Sequence, residues 1–307
     1  MRAAVVDVGS NSLRLFLCEG IDADGPAGVR TTTVIGLMRG AAADGTLADD
    51  ALARLDDVLA GYDDRIRAFA PAETVAVCTS AVRDAPNSGR VVDALVRSIG
   101  AEVHILEGEQ EAAMAFAGAA LAATGDRRVM MIDVGGGSTE LVAGTAGRLT
   151  AAVSLQLGAV RQTDLRVHDD PPTAAQLLAV RDDALAAAAG GIREIGGPAA
   201  AVAVAGTATT LAAIDLGGYD PRRVHGHRMS RRRMEEIVEL LAGVPLEERR
   251  GIPGLDPARA GVIVAGATIL TSVLAAAGLD DMMVSERDIL DGVALAIAAR
   301  PPGSRHL

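Results

Sequence analysis

Two stretches of this chain repeat one order of apolar and polar positions. The first runs Ala3-Ala4-Val5-Val6-Asp7-Val8-Gly9-Ser10-Asn11-Ser12-Leu13-Arg14-Leu15, and the second Val129-Met130-Met131-Ile132-Asp133-Val134-Gly135-Gly136-Gly137-Ser138-Thr139-Glu140-Leu141. Setting Asp7 over Asp133 also matches Val8 with Val134, Gly9 with Gly135, Ser12 with Ser138 and Leu15 with Leu141. Each copy reads as a buried strand, a Gly-rich turn and a second strand. A repeat on this scale points to two lobes of similar topology, because solenoid periods are far shorter. Two ordinary hairpins with Gly at their turns would show the same strands, but would leave the matched Asp residues without a reason.

Between and after the copies, strands and helices alternate. Leu52, Leu55, Leu59 and Tyr62 fall at helical spacing within 47–69, and 73–80 reads as a buried strand. A helix is expected over 91–99, a strand over 103–106 and an Ala-rich helix over 109–123, with Thr124-Gly125-Asp126 as the exit from the first lobe. The second lobe carries the second copy, a strand at 150–155, a helix at 174–189 and a strand at 200–205 that leads into Gly206-Thr207-Ala208-Thr209-Thr210. Helices over 231–241, 258–277 and 288–299 and a strand over 282–285 complete the chain, with a frayed tail from 301. The alternation makes this an α/β protein. Its lobes are expected at 1–124 and 125–307, with the helix near 288–299 free to pack back on the first.

Composition narrows the function more than the fold. The 307 residues suffice for two cores, and with no Trp, two Tyr and three Phe those cores must be aliphatic. No Lys occurs, so every basic chain other than His is Arg; this suits planar phosphate contacts and equally fits genome composition. A formal charge of −11 argues against non-specific binding to nucleic acid or to a membrane surface. A polyanionic substrate then needs a locally positive cleft of Arg, backbone N–H groups and a divalent cation. Cys18 and Cys78 show no metal or redox spacing and read as buried thiols. With neither a leader pattern nor an uninterrupted apolar span, a cytoplasmic protein is expected.

Chemistry is expected at the Gly-rich turns. Small residues let a turn approach a phosphate, and successive N–H groups can point at its oxygens. The Asp ending each first strand is placed to bind a cation directly or through water. Two matched turns, each led by Asp, read as a phosphate clamp closed from both sides.

The chain resembles the exopolyphosphatase and guanosine pentaphosphate phosphohydrolase family of the actin-like ATPase superfamily. The likeness runs nearly end to end, through DVGSNSLRL (7–15), TSAVRDAPN (79–87), EGEQEA (107–112), IDVGGGSTEL (132–141), SLQLGAVRQTD (154–164), AGTATTLAAI (205–214) and VHGH (224–227). It implies two actin-like, ribonuclease H-like α/β domains with the active site in a cleft between them. By the same resemblance Glu111 activates water, and Asp133 is associated with the metal, Mg²⁺ or another divalent cation such as Mn²⁺. Glu140 faces the cleft and, with Asp7, completes the metal shell. Arg83 contacts the phosphate chain. Ser10, Asn11 and Ser12 line one phosphate loop and Gly135, Gly136, Gly137, Ser138 and Thr139 the other, while Gly206 and Thr207 resemble a third phosphate-contacting turn.

The pattern also departs from the family. Gly36-Leu37-Met38-Arg39-Gly40 stands where members often have Arg-Leu-Gly-x-Gly. Arg259-Ala260-Gly261 replaces Arg-Ala-Asp, and Asp288-Ile289-Leu290-Asp291-Gly292 replaces Gly-x-Arg-Glu-Gly. His168-Asp169 lacks the partner histidines of an HD site, and His225-x-His227 reads as structural. Arg231-Arg232-Arg233 reads as a solvated face.

Three functions follow for comparison. The favoured one is an exopolyphosphatase acting on short inorganic polyphosphate, as a homodimer by family expectation. The same residues would serve hydrolysis of guanosine pentaphosphate. A sensor that binds polyphosphate or an alarmone without turnover is the alternative from another class, and the presence of Glu111, Asp133 and Glu140 together argues against it.

Overall fold

The computed structural model describes residues 2–22, 25–42, 44–120, 127–145 and 148–301. The exit expected at Thr124-Gly125-Asp126 and the tail beyond 301 lie outside the described residues. The chain forms two compact units: Met1–Gly118 with Ile289–Leu307, and Ala119–Asp288.

The first unit contains β1 (Ala3–Val8), β2 (Ser12–Asp22), β3 (Gly25–Val34), α1 (Asp49–Phe69), β4 (Glu73–Cys78), α2 (Ser80–Arg83), α3 (Gly89–Ile99), β5 (Glu102–Ile105) and α4 (Gly108–Ala120). Its sheet has the order β3-β2-β1-β4-β5. β1 pairs antiparallel with β2 and parallel with β4, which is parallel to β5. Every residue of β1 is buried because alternate side chains enter two apolar layers. Ala4, Val6 and Val8 join Leu13, Leu15 and Leu17 against Leu52, Leu55 and Leu59 of α1 and Val91 and Leu95 of α3. On the opposite face Ala3, Val5, Phe16 and Cys18 pack with Ile289, Leu290, Val293 and Ile297.

The second unit contains β6 (Arg128–Val134), β7 (Thr139–Thr145), β8 (Arg148–Leu155), α5 (Ala159–Arg166), α6 (Ala174–Ile195), β9 (Ala200–Val204), α7 (Ala205–Asp215), α8 (Pro221–Val224), β10 (Arg228–Ser230), α9 (Arg231–Ala242), α10 (Leu246–Arg249), a 3₁₀ turn (Pro257–Arg259), α11 (Ile263–Ala276) and β11 (Asp281–Val284). Its sheet order is β10-β11-β9-β6-β7-β8, with β6 parallel to β9 and β9 to β11. The β6-β7-β8 meander therefore repeats β1-β2-β3, while β9 and β11 stand where β4 and β5 stand in the first unit. α11 is buried all round from Ile263 through Leu274, as befits a helix apolar on every face.

The last helix, α12 (Ile289–Ala299), belongs to the first unit. It crosses α4 closely, since a Cβ at Gly292 would lie 1.8 Å from the Met114 carbonyl oxygen. Leu290 and Asp291, which replace the family's Arg-Glu, have defined partners here. Leu290 joins the apolar layer, and the fully buried Asp291 takes both Nη atoms of Arg30, at 2.9 and 2.5 Å. Arg30 in turn lies over the Phe16 ring, 4.4 Å from its centroid.

Several elements differ from the sequence expectation. The helix expected from 258 begins at Ile263, because the Asp256 carboxylate accepts the Ala258 N–H and caps the Pro257–Arg259 turn instead. Gly206 to Thr210 are not a turn but the first residues of α7. β3, α5 and the short β10 had no clear periodicity in the sequence and form through their neighbours. No helix among the described residues is long and apolar enough to cross a membrane.

Candidate active site

In the first unit, three segments meet at the carboxyl ends of the parallel strands β1, β4 and β5. The β1–β2 turn is closed by the Gly9 N–H on the Ser12 carbonyl, at 3.0 Å. Outside it, the N–H groups of Ile35 and Gly36 donate to the Asn11 carbonyl (2.9 and 2.8 Å), and that of Met38 to the Ser10 carbonyl (3.0 Å). In a trans peptide the N–H points opposite to the C=O, so the N–H groups of Asn11 and Ser12 point away from this brace. Ser10 and Asn11 are exposed, as an anion cradle requires. Arg54 of α1 holds the bracing strand end by donating to the Ile35 and Gly36 carbonyls, at 2.7 and 3.2 Å. Because the brace uses backbone atoms, the departure from the family pattern at Gly36 and Met38 leaves it intact.

Arg83 closes α2 and reaches the amino end of α4. Its Nη1 donates to the Leu106 carbonyl at 2.7 Å and to Glu111 Oε2 at 3.4 Å. Glu111 lies in the first turn of α4, and its side chain is 33% exposed, so a solvent molecule can reach it. A guanidinium with five donors can keep this contact and still take a phosphate oxygen. Asp7 is 3% exposed and forms an ion pair with its cross-strand neighbour Arg14, whose Nε and Nη2 lie 2.8 and 2.6 Å from Oδ2.

The second unit builds the same turn with a different brace. The Gly135 N–H donates to the Ser138 carbonyl at 2.9 Å. A Cβ on Gly9 or on Gly135 would meet the accepting carbonyl at the same 3.3 Å. Here the amino end of α5 supplies the donors: Ala159 to Gly135 O (2.8 Å), Val160 and Arg161 to Gly136 O (2.9 and 3.1 Å), and Arg161 Nε to Gly137 O (2.9 Å). The N–H groups of Gly136, Gly137 and Ser138 consequently point away from α5. Gly158 permits the approach, because a Cβ there would stand 2.3 Å from the Gly136 oxygen.

Two side chains expected at a ligand hydrogen-bond within the second unit. Thr139 is fully buried and its hydroxyl donates to the Leu157 carbonyl. The buried Thr207 hydroxyl donates to the Val134 carbonyl at 3.0 Å, fastening α7 to the end of β6. Gly266 of α11 sits between these parts, with the site of its missing Cβ 3.1 Å from Thr207 and 3.2 Å from Ala159.

Asp133 stands directly opposite Glu140 in the β6–β7 ladder, so both carboxylates project on one face of the sheet. Ser154 of β8 donates to Glu140 Oε1 at 2.9 Å. Among the described residues no group of three or more His, Cys, Asp or Glu side chains forms a complete metal cage. Two hard oxygen donors nevertheless fit a cation such as Mg²⁺, which is held by one or two carboxylates and otherwise by water and substrate phosphate. Asp7, expected as a third member, is engaged by Arg14.

One further cation of this region comes from Arg259-Ala260-Gly261, noted in the sequence as a departure from a family motif and not as part of the site. The guanidinium of Arg259 lies against Gly206 at the amino end of α7, where a Cβ would come within 1.8 Å of Nη1. A helix amino end favours anions, so a cation beside it brings two positive poles together. The motifs at 225–233 stay outside the site. His227 Nε2 lies 2.8 Å from Asp215 Oδ2, and Arg233 Nε 2.7 Å from Oδ1. Burial pushes the Asp215 carboxyl up, but the hydrogen bonds from Arg233 and His227 outweigh it and hold the group below its ordinary value. His225 Nδ1 accepts the Glu286 N–H at 3.3 Å, and Arg231 and Arg232 pair with Glu235 and Glu236.

With this geometry in place, comparison with known proteins is informative. Residues 28–300 match the Ppx/GppA phosphatase family. Exopolyphosphatase 2 of Mycobacterium tuberculosis is 33% identical over 322 aligned positions, covering 97% of this chain and 98% of that protein. The guanosine-5'-triphosphate,3'-diphosphate pyrophosphatase of Vibrio atlanticus is 26% identical, over 95% of this chain and 58% of its own length. Among solved structures, the Ppx/GppA family member of Aquifex aeolicus superposes with a TM-score of 0.88 at 28% identity, covering 99% of both chains. An exopolyphosphatase-like protein gives 0.84 at 30% identity, covering 96% of this chain and 97% of that one.

Proposed function

The chain belongs to the Ppx/GppA phosphatase family, a family of hydrolases with two actin-like α/β domains, and from that premise we propose that it releases orthophosphate from the ends of short inorganic polyphosphate chains. The observation that carries this reading is the contact of Arg83 with the half-open Glu111, beside a turn whose N–H groups face outward. Cleaving a phosphoanhydride requires alignment and charge stabilisation more than covalent help. In this reading the turn N–H groups and Arg83 hold phosphate oxygens, and Arg259 with the amino end of α7 takes a further one. Glu111 accepts a proton from water as the water oxygen attacks the terminal phosphorus. The bridging oxygen leaves with the shortened chain. Asp133 and Glu140 would hold a divalent cation, Mg²⁺ or Mn²⁺, which when bound neutralises phosphate charge. Arg83 keeps Glu111 oriented toward the solvent molecule it would activate. A homodimer, implied by the resemblance, and a cytoplasmic location, expected from the sequence pattern, belong to the same proposal.

Orthophosphate release, measured with Mg²⁺ on short polyphosphate, long polyphosphate, guanosine pentaphosphate and ATP, tests the reading. Glu111→Gln serves as the control. We expect short polyphosphate to rank first and the variant to lose about a hundred- to ten-thousand-fold in turnover. Ranking guanosine pentaphosphate first would favour the second reading, toward which the Vibrio atlanticus relative points. Binding without release from any substrate would make the protein a sensor and end the enzymatic reading.

A further inference from the structure

We propose that Arg249 is a positioning residue for substrate binding, which holds the segment carrying Arg259 in place at the amino end of α7. The inference rests on the phosphohydrolase reading above. Arg249 is 3% exposed, at the end of α10. Its guanidinium donates to three carbonyls: Nε to Leu241 at 2.7 Å, Nη2 to Val244 at 2.9 Å and Nη1 to Ala260 at 3.0 Å. The first two belong to the end of α9 and the loop after it. The third belongs to the residue that follows Arg259.

Packing alone gives no reason for arginine here. A buried guanidinium is costly unless its donors are satisfied, and an aliphatic chain of similar volume would fill the space without that cost. What arginine supplies is a planar fork that fixes three acceptors at once. The Pro257–Arg259 turn needs such an anchor. Its beginning is capped by Asp256, and upstream Gly254, in a left-handed conformation (φ 88°), brings the chain onto the far end of α7. A Cβ at Gly254 would lie 2.3 Å from the Ala213 carbonyl oxygen. The segment thus runs along α7, fixed near Ala213 by Gly254 and, at its other end, by Arg249 on Ala260. Arg259, with its side chain 47% exposed, is the residue that this double anchorage presents at Gly206. Arg259 Nε also lies 4.0 Å from Asp256 Oδ2, an exposed and loose pair that offsets only part of the cost of a cation beside the positive end of a helix, and the second anchor supplies the rest of the constraint.

Steady-state kinetics with tripolyphosphate on the full chain test this, using Arg249→Lys, Arg249→Met, Arg259→Met and the double variant Arg249→Lys/Arg259→Met, alongside thermal unfolding of each. Lysine can satisfy only part of the fork. We expect Arg249→Lys to remain folded and to raise KM about tenfold, the size of one or two hydrogen bonds lost, with kcat falling less. In the Arg259→Met background the same change should add nothing to KM. Should Arg249→Met fail to fold, the lysine variant decides the matter. A lowered melting temperature with KM unchanged in Arg249→Lys, or KM effects that multiply in the double variant, would overturn the inference and leave the enzymatic reading standing. Absence of both binding and turnover in the unmodified chain would remove the enzymatic reading and this inference with it.

Discussion

The two hairpins share one turn and differ in what stands across from the aspartate. Asp7 faces Arg14 and Asp133 faces Glu140, at equivalent positions of equivalent strand pairs. In the first unit the carboxylate is paired with a cation within the ladder. In the second, two carboxylates on one face repel each other, a local penalty of a few tenths to about 1 kcal/mol for directly opposed like charges. Backbone geometry was thus kept while the cross-strand neighbour changed sign. The braces differ too: a backbone segment at 35–38 holds one turn, and a helix amino end holds the other.

The strongest way to break this comparison is to give the second hairpin the first one's charge pattern. Glu140→Arg should form an ion pair with Asp133 and leave folding intact. Mg²⁺-dependent phosphate release should fall by about a hundredfold or more, as when a group that stabilises transition-state charge is lost. Full activity at ordinary Mg²⁺ would show that the carboxylate pair is not the cation site. The converse change tests the first hairpin. Arg14→Leu leaves Asp7 buried beside an apolar chain and should cost about 3 kcal/mol in urea unfolding, at the low end for a broken buried pair because Arg14 is partly exposed. Adding Asp7→Asn should restore much of that loss; if it does not, Arg14 stabilises by packing rather than by charge.

Smaller effects separate the braces. Gly158→Ala drives a Cβ into the backbone of Gly136 and should cost about 1 to 3 kcal/mol, with a raised KM because the turn itself must move. Gly36→Ala meets only the flexible Arg39 side chain. Its cost should be about 1 kcal/mol, from the left-handed backbone alone (φ 56°). Equal losses at the two positions would mean that the turns are braced alike.

The smallest effect concerns Cys78, where β4 ends beside Asp7. Burial, and then the Asp7 charge, push its thiol from 9.0 up to about 12. The native state therefore prefers the neutral thiol. This contribution is fully present below the unfolded value and is lost as pH rises through the folded one. Mass spectrometry after alkylation of the native protein at mildly alkaline pH should find Cys78 unmodified, and Asp7→Asn should make it slightly more reactive. Rapid modification of the native chain would contradict this burial.

Much of the candidate site was legible because its signals are local. An apolar run ending in Asp before a Gly-rich turn declares a strand and a backbone bend, and the repeat of that pattern declares two units. The motif around Glu111 marked the carboxylate that Arg83 meets. Arg249 was invisible, and Arg259 stood out only as part of a family motif, for the opposite reason: their partners, Ala260 and Gly206, are meaningful only through contacts made after folding. Thr139 and Thr207 looked like ligand contacts because a hydroxyl beside a Gly-rich segment is ambiguous until its acceptor is known. Those acceptors are the carbonyls of Leu157 and Val134.

By itself, then, the sequence determined the α/β class, the duplicated strand–turn–strand unit and the residue types available for phosphate chemistry, since periodicity and small-residue turns act over a few neighbouring positions. Only the tertiary structure decided that α12 completes the core of the first unit, that Asp7 and Asp133 face cross-strand neighbours of opposite charge, and that a buried arginine holds the carbonyl of the residue after Arg259. Burial and charge are set by whatever residues the fold brings alongside, and strand register, sheet order and helix packing bring together positions far apart in the chain.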